Sequence, residues 1–195
     1  HQKRTVLVAT SGDTGGAVGG AFVGKPNIDV VILFPKGKIS PRQEKQIACW
    51  GKNVKAVAVR GNFDDCQKIV KEALSSKELR HTRSFVSANS ISIGRLLPQM
   101  VYYAKTSMDY RRVKGAAPGF IIPTGNLGNA VAGLWAKHLG FPINKIVLAT
   151  NANKSIGDFF ASGKWQPNAT VSTLANAMDV GNPSNMERLI ALYPS

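Results

Sequence analysis

Three short clusters in this chain have the residue types of an anion site. The densest is Pro123-Thr-Gly-Asn-Leu-Gly-Asn129. It stands between an apolar run, residues 119–122, and a run of small and apolar residues at helical spacing, residues 130–139. A glycine-rich turn that opens a helix leaves the first-turn N–H groups without intrahelical partners. The helix dipole adds roughly half a positive charge there. Gly125, Asn126, Leu127, Gly128 and Asn129 therefore read as a phosphate cradle, with the two asparagines as extra donors. The spacing is neither Gly-x-Gly-x-x-Gly nor Gly-x4-Gly-Lys-Ser/Thr. The phosphate expected is one on something smaller than a dinucleotide or a nucleoside triphosphate.

The second cluster, Thr10-Ser-Gly-Asp-Thr-Gly-Gly16, repeats the device after another apolar run. Hydroxyls of Thr10, Ser11 and Thr14 would join the free N–H groups around a carboxylate or phosphate, and Gly12 would let it approach. Asp13 is the odd member. It must point away, cap the helix, or accept a hydrogen bond from a donor on the ligand. Plain capping by Ser11, Asp13 and Thr14 is the alternative reading of these residues. The third cluster is Asn89, Ser90 and Arg95, two neutral donors and a guanidinium fork suited to a phosphate. A solvated arginine beside an Asx turn is the alternative there.

The elements that must position these clusters alternate strand and helix. Apolar runs at residues 5–9, 29–34, 54–59, 84–88, 119–122 and 145–150 read as strands. Helical runs follow at 17–23, from Ser40-Pro41 to Trp50, at 66–75, from about Leu96, at 130–139, at 155–161 and after Pro183. The helix near Leu96 is expected to be interrupted or begun at Pro98. Tyr110 to Pro118 reads as a basic connector and the best domain boundary. The order predicts an α/β fold with parallel sheets, their apolar strands covered on both faces. Ligands in such sheets bind beyond the carboxyl ends of strands. Each of the three clusters follows a strand, so all three are expected to face one crevice.

Composition excludes several classes. The 195 residues carry a net charge of +14, which raises the question of nucleic acid. The lysines and arginines are spread over turns and helix faces, with no aromatic-interleaved stripe, so no nucleic-acid partner is expected. No run is long enough for a transmembrane helix, so no membrane partner is expected either. His1, His81 and His138 show no ligand spacing, and no metal is expected. Cys49 and Cys66 form no framework, which points to a reducing, cytoplasmic setting. Asp64 and Asp65 precede Cys66 and should raise its pKa, which argues against a reactive thiolate. The chain opens at His1 without a methionine, which suggests a piece of a longer protein.

Five blocks together resemble the threonine synthases, pyridoxal-phosphate enzymes of fold type II. They are Ala9-Thr-Ser-Gly-Asp-Thr-Gly15; Gly61-Asn-Phe-Asp-Asp-Cys-Gln67; Ser87-Ala-Asn-Ser90 with Arg95-Leu-Leu-Pro-Gln99; Pro123 to Asn129; and Ala177-Met-Asp-Val180 with Pro183-Ser-Asn-Met-Glu-Arg188. The resemblance implies a three-layer α/β/α fold like the tryptophan synthase β chain, present in part. Residues 1–107 would be a small mobile domain, and 108–195 part of the large cofactor domain. It implies conversion of O-phosphohomoserine and water to threonine and phosphate, with pyridoxal 5′-phosphate as cofactor.

The same resemblance assigns roles to the clusters. Gly125, Asn126, Leu127, Gly128 and Asn129 would hold the cofactor phosphate, with Asp13 near the cofactor's 3′-oxygen. Thr10, Ser11, Gly12 and Thr14 would bind the substrate carboxylate and neighbouring groups. Asn89, Ser90 and Arg95 would grip the substrate phosphate. The family's imine-forming lysine lies in a Phe-Lys-Asp context upstream of the first glycine-rich turn, and no lysine here has it. Lys3 sits in Gln-Lys-Arg instead, and Lys154 stands where an aspartate is expected. The residues present are therefore expected to be inactive alone, with the cofactor pocket empty or holding a solvent ion. A serine or threonine dehydratase of the same fold type, and a basic nucleic-acid-binding module, are the competing readings.

Overall fold

The computed structural model describes residues 3–193, which form two compact units. One contains the residues up to Asn89 together with Thr170–Val180. The other contains Ser90–Ala169 together with the residues from Gly181 on. The division falls at Asn89/Ser90, whereas position 107/108, suggested by the sequence, lies inside a helix.

The first unit runs β1 (Arg4–Ala9), α1 (Asp13–Phe22), β2 (Ile28–Pro35), α2 (Pro41–Ala48), β3 (Val54–Val59), α3 (Phe63–Ser75), α4 (Lys77–Thr82) and β4 (Ser84–Ser87). Its sheet has the order β3-β2-β1-β4 with every neighbouring pair parallel. The period of two along a strand sends alternate residues to opposite faces. Val6, Val8, Val30, Ile32 and Phe34 join Val18 of α1 and Ile47 of α2 in one core. Leu7, Ala9 and Leu33 join Phe63, Cys66 and Val70 of α3, and Val180, in the other. The continuous apolar strands thus lie between two helical layers, as expected. Full burial of a side chain such as Ile32 contributes roughly 1.5–3 kcal/mol.

The second unit runs α5 (Ile93–Lys114), β5 (Phe120–Pro123), α6 (Gly128–His138), β6 (Ile146–Ala149), α7 (Ser155–Ser162) and α8 (Met186–Leu192). Strands β5 and β6 pair in parallel from Phe120↔Ile146 to Pro123↔Ala149. Leu96 and Tyr103 of α5, Ile122 of β5, Val131 and Ala132 of α6, and Met186 of α8 lie in one core. The Tyr103 and Phe120 rings meet edge to face at 5.0 Å.

Several element boundaries differ from those expected. Helix α5 runs straight through Pro98 and continues to Lys114, so the basic stretch 110–114 is helix, not connector. Arg111, Arg112 and Lys114 suit the negative end of the dipole, and Asp109 pairs with Lys105 at 2.6 Å and with Arg112 at 3.2 Å. Helix α2 starts as expected, with Ser40 as cap and Pro41 first, but ends at Ala48 rather than Trp50. Helix α3 begins at Phe63, three residues before Cys66, because Asn62 and Asp65 form a capping box. Asp65 N–H donates to Asn62 Oδ1 at 3.0 Å, and Asn62 N–H donates to Asp65 Oδ2 at 2.7 Å. Helix α4, capped by Ser76, was not expected at all. No helix among the described residues is long and apolar enough to cross a membrane.

The Asn62 cap gives a direct test of this start for α3. Asn62→Ala should lower stability by about 1 kcal/mol, and Asn62→Asp by much less, in urea denaturation. Equal midpoints for all three proteins would contradict the capping role.

Candidate functional site

In the first unit the turn from β1 into α1 is built around one buried hydroxyl. Thr10 is 1% exposed. Its Oγ1 donates to Gly12 O at 2.9 Å and accepts from the N–H groups of Gly12 and Gly15, each at 3.0 Å. Sequence alone offers this hydroxyl to a ligand, but here it knits the turn. Glycine allows close approach at two positions, to the flexible end of Gln43 and to the buried Thr10 methyl group. A Cβ on Gly12 would lie 2.3 Å from Gln43 Nε2, and one on Gly15 would lie 2.6 Å from Thr10 Cγ2. Ser11 is half-buried, and its hydroxyl donates to Ala177 O at 3.3 Å. Thr14 is half-buried in the first turn of α1, and Asp13 is exposed there. Among the described residues, the N–H groups of Ser11, Asp13 and Thr14 meet no protein acceptor.

Asn89, two residues beyond β4, has a structural task. Its Oδ1 accepts from Ala9 N–H at 2.9 Å, and its Nδ2 donates to Ala9 O at 2.5 Å. The side-chain amide thus mimics a strand at the carboxyl end of β1. Of the cluster read as Asn89, Ser90 and Arg95, Asn89 belongs to the first unit and Ser90 and Arg95 to the second.

The second unit brings Ser90 to the glycine-rich loop between β5 and α6. Asn126 Nδ2 donates to Ser90 Oγ at 2.8 Å. Asn126 Oδ1 accepts from Ser184 N–H at 2.6 Å and from Ser184 Oγ at 2.9 Å. Asn185 is fully buried, donates from Nδ2 to Asn126 O at 2.9 Å, and is itself held by Arg188 Nη1 at 2.5 Å. Arg188 Nη2 reaches Ile91 O at 2.7 Å. Asn129 Nδ2 donates to Gln99 Oε1 at 2.8 Å, while its Oδ1 accepts from the buried Tyr103 hydroxyl. Both asparagines therefore spend their side chains on the protein.

What remains for a ligand in this loop is backbone. Among the described residues, the N–H groups of Gly125, Asn126, Leu127, Gly128 and Asn129 meet no protein acceptor. They lie at the positive end of α6, an arrangement that fits a phosphate. Leu127 caps this helix with φ 62°, left-handed backbone costing about 1–2 kcal/mol in a non-glycine residue. Its side chain is 2% exposed in the core, which offsets that cost. Gly128 sits close against Ser90: a Cβ would lie 3.0 Å from Ser90 Cβ, so Ser90 would have to give by a few tenths of an ångström. Arg95 is half-buried in the first turn of α5, and burial lowers the pKa of its guanidinium. Ser184, Asn185, Arg188, Gln99 and Tyr103 were not picked out as site residues by sequence. For Ser184, Asn185, Arg188 and Gln99 the signal is membership of the Pro183–Arg188 and Arg95–Gln99 blocks, without roles; Tyr103 lies outside both and shows only a helical packing pattern.

Other candidates fall outside these clusters. Lys3 is held by Asp29 at 2.8 Å, at the amino ends of β1 and β2. That is the opposite edge of the sheet from Thr10–Thr14. Cys66 is fully buried, and burial, with Asp65 adding, pushes its thiol up to about 11. The sign agrees with the sequence reading, but desolvation outweighs the carboxylate. His138 ends α6 and His81 lies in α4, while His1 lies outside the described residues. Nothing in the structure explains Lys154, exposed before α7.

Two measurements probe this loop. Gly128→Ala should cost about 1–3 kcal/mol in thermal or urea unfolding, since Ser90 must move to admit the methyl group. Burial holds the Tyr103 phenol up to about 12, above the ordinary tyrosine value near 10. Stability from keeping it protonated is therefore whole below about pH 10 and declines as pH rises toward about 12. Tyr103→Phe should remove that part of the alkaline decline, and an unchanged profile would contradict the assignment.

The chain is also similar to proteins of known name. It is 49% identical over 191 residues to the threonine synthase of Haemophilus influenzae, covering 98% of this chain and 45% of the relative. The crystal structure of threonine synthase from Escherichia coli superposes with a TM-score of 0.90 at 45% identity, covering 98% of this chain and 45% of that one. A threonine synthase from Brucella melitensis, solved with pyridoxal phosphate bound, gives 0.80 at 39% identity, covering 97% and 41%. The chain thus spans less than half the length of these relatives. The family model described as "Pyridoxal-phosphate dependent enzyme" matches residues 1–193. With that match over nearly every residue, the chain belongs to the family of pyridoxal-phosphate dependent enzymes.

Proposed function

We propose that these residues form the phosphate- and substrate-binding part of a threonine synthase, which converts O-phospho-L-homoserine and water to L-threonine and phosphate. The observation that carries this reading is the row of N–H groups from Gly125 to Asn129, left without protein acceptors at the start of α6 and tied to Ser90 through Asn126. The similarity to threonine synthases along nearly the whole chain supports it.

In this reading Gly125, Asn126, Leu127, Gly128 and Asn129 bind the phosphate of pyridoxal 5′-phosphate through backbone N–H groups. When bound, that cofactor supplies an electron sink for carbanions beside the amine-bearing carbon. Ser11, Gly12 and Thr14 hold the substrate carboxylate, and Thr10 fixes the turn that presents them. Asp13 lies near the cofactor's 3′-oxygen and accepts a hydrogen bond from a donor there, which offsets the cost of a carboxylate at an anion-binding turn. Ser90 and Arg95 grip the substrate phosphate, and Asn89 secures the chain that leads to them. No residue described here is assigned as the imine-forming lysine.

The partner is a small amino acid rather than nucleic acid. Several basic side chains are committed to local pairs, Lys3 and Arg83 to Asp29, and Lys105 and Arg112 to Asp109. Two free cysteines suit a reducing cytoplasm.

The whole protein, loaded with pyridoxal phosphate, should release phosphate from O-phosphohomoserine and form threonine in equal amount. Deamination of serine or threonine with no phosphate release would assign a dehydratase instead. Steeply salt-dependent DNA binding with no turnover of either substrate would assign a nucleic-acid module.

A further inference from the structure

Gln43 sits where three parts of the first unit meet. As the third residue of α2 it closes a capping box with Ser40: Ser40 N–H and Oγ donate to Gln43 Oε1 at 3.1 and 3.0 Å, and Gln43 N–H donates to Ser40 Oγ at 3.2 Å. A cap needs no more than this. Yet Oε1 also accepts from Asn176 Nδ2 at 3.0 Å. The other end of the amide, Nε2, donates to Asp13 Oδ1 at 3.4 Å, at the long end of hydrogen bonding. The same nitrogen occupies the space against Gly12 where a side chain would begin.

Asn176 lies in a strap, Thr170–Val180, that is distant in sequence from the rest of this unit. The strap is anchored at both ends. Thr170 Oγ1 donates to Asp64 Oδ2 at 3.0 Å, and Val180 is buried against Leu7 and Phe63. It is also braced within itself, since Asp179 accepts from Thr173 N–H at 2.8 Å and from Thr173 Oγ1 at 2.7 Å. It meets the Thr10–Thr14 turn through Ser11 and Ala177, and Gln43 through Asn176.

We propose that Gln43 is a positioning residue for the Thr10–Thr14 turn, its amide transmitting the order of the 170–180 strap to Gly12 and Asp13. By engaging Oδ1 it turns Asp13 so that Oδ2, which meets no donor among the described residues, faces solvent and ligand. The donor also lowers the cost of a carboxylate at a turn built for anions. The assignment of the turn to the substrate carboxylate rests on the function proposed above; the mechanical link between strap, Gln43 and turn does not.

Gln43→Glu separates the two jobs of this side chain. Glutamate keeps the acceptor that closes the cap but has no donor for Asp13, and it sets a second negative charge beside it. In the holoenzyme the variant should melt close to wild type. Amide hydrogen exchange at Gly12 and Gly15, whose N–H groups are held by Thr10 Oγ1, should be faster. KM for O-phosphohomoserine should be about tenfold higher with kcat little changed, as for loss of one charge-assisted hydrogen bond. Asn176→Ala, which leaves the cap untouched, should also speed exchange at Gly12 and Gly15 and not only in the strap. Wild-type exchange at Gly12 and Gly15 in both variants would overturn the proposal. That readout needs no substrate, so it decides the matter even if wild type fails to turn over O-phosphohomoserine, a result that would count against the functional reading alone.

Discussion

A turn whose peptide N–H groups stand without protein acceptors lacks internal support, and much of this structure follows from that constraint. Such a turn cannot be held by its own donors, so other groups must hold it. In the β5–α6 loop the work falls to the Asn126 and Asn129 side chains and to the buried Asn185 behind them. In the β1–α1 turn it falls to the Thr10 hydroxyl, which takes two N–H groups and leaves those of Ser11, Asp13 and Thr14 open. Side chains of the type that binds phosphate in other proteins are here consumed in presenting the backbone.

The two units solve the holding problem with different resources. In the first, a four-stranded parallel sheet is packed on both faces, and the turn grows from the end of its central strand β1. Asn89 extends the ladder past the end of β4 by pairing with Ala9. Gly15 then lets α1 settle against Ile32. The rigidity of the sheet reaches the turn through Ala9 and through Thr10, whose N–H donates to Leu33 O at 2.9 Å. This is the arrangement a parallel α/β layer provides by default, with strand ends and helix starts at one edge.

The two glycine-rich turns at helix starts were legible in the sequence because the signal is local. Glycines, small hydroxyl residues and a following helical run lie within seven or so residues, and the physics of a helix start needs nothing more. The roles of the side chains were not legible, because their partners are remote. Asn126 meets Ser184 across 58 positions, Gln43 meets Asn176 across 133, and Ser11 meets Ala177 across 166. The strands were legible for the same local reason, as unbroken apolar runs. The span of α5 was not. Pro98 and the basic end at Arg111–Lys114 argue locally for a break, but packing of Leu96 and Tyr103 against α6 overrides the proline, and the dipole welcomes the charges.

Among the described residues the second unit has two strands, and the outer side of this pair is uncovered: Ile121 is 75% exposed. A sheet this small cannot fix a loop by itself. The cradle is instead clamped from the helical side. Tyr103 of α5 orients Asn129, Ser90 packs against Gly128, and Asn185 before α8 holds the Asn126 carbonyl under the grip of Arg188. Tyr103 and Asn185 are buried, so losing either bond leaves a buried group unsatisfied, at a cost of about 1–3 kcal/mol. Those penalties hold the loop as built, and Leu127 keeps its left-handed backbone within it: relaxing that residue would withdraw its side chain from the core.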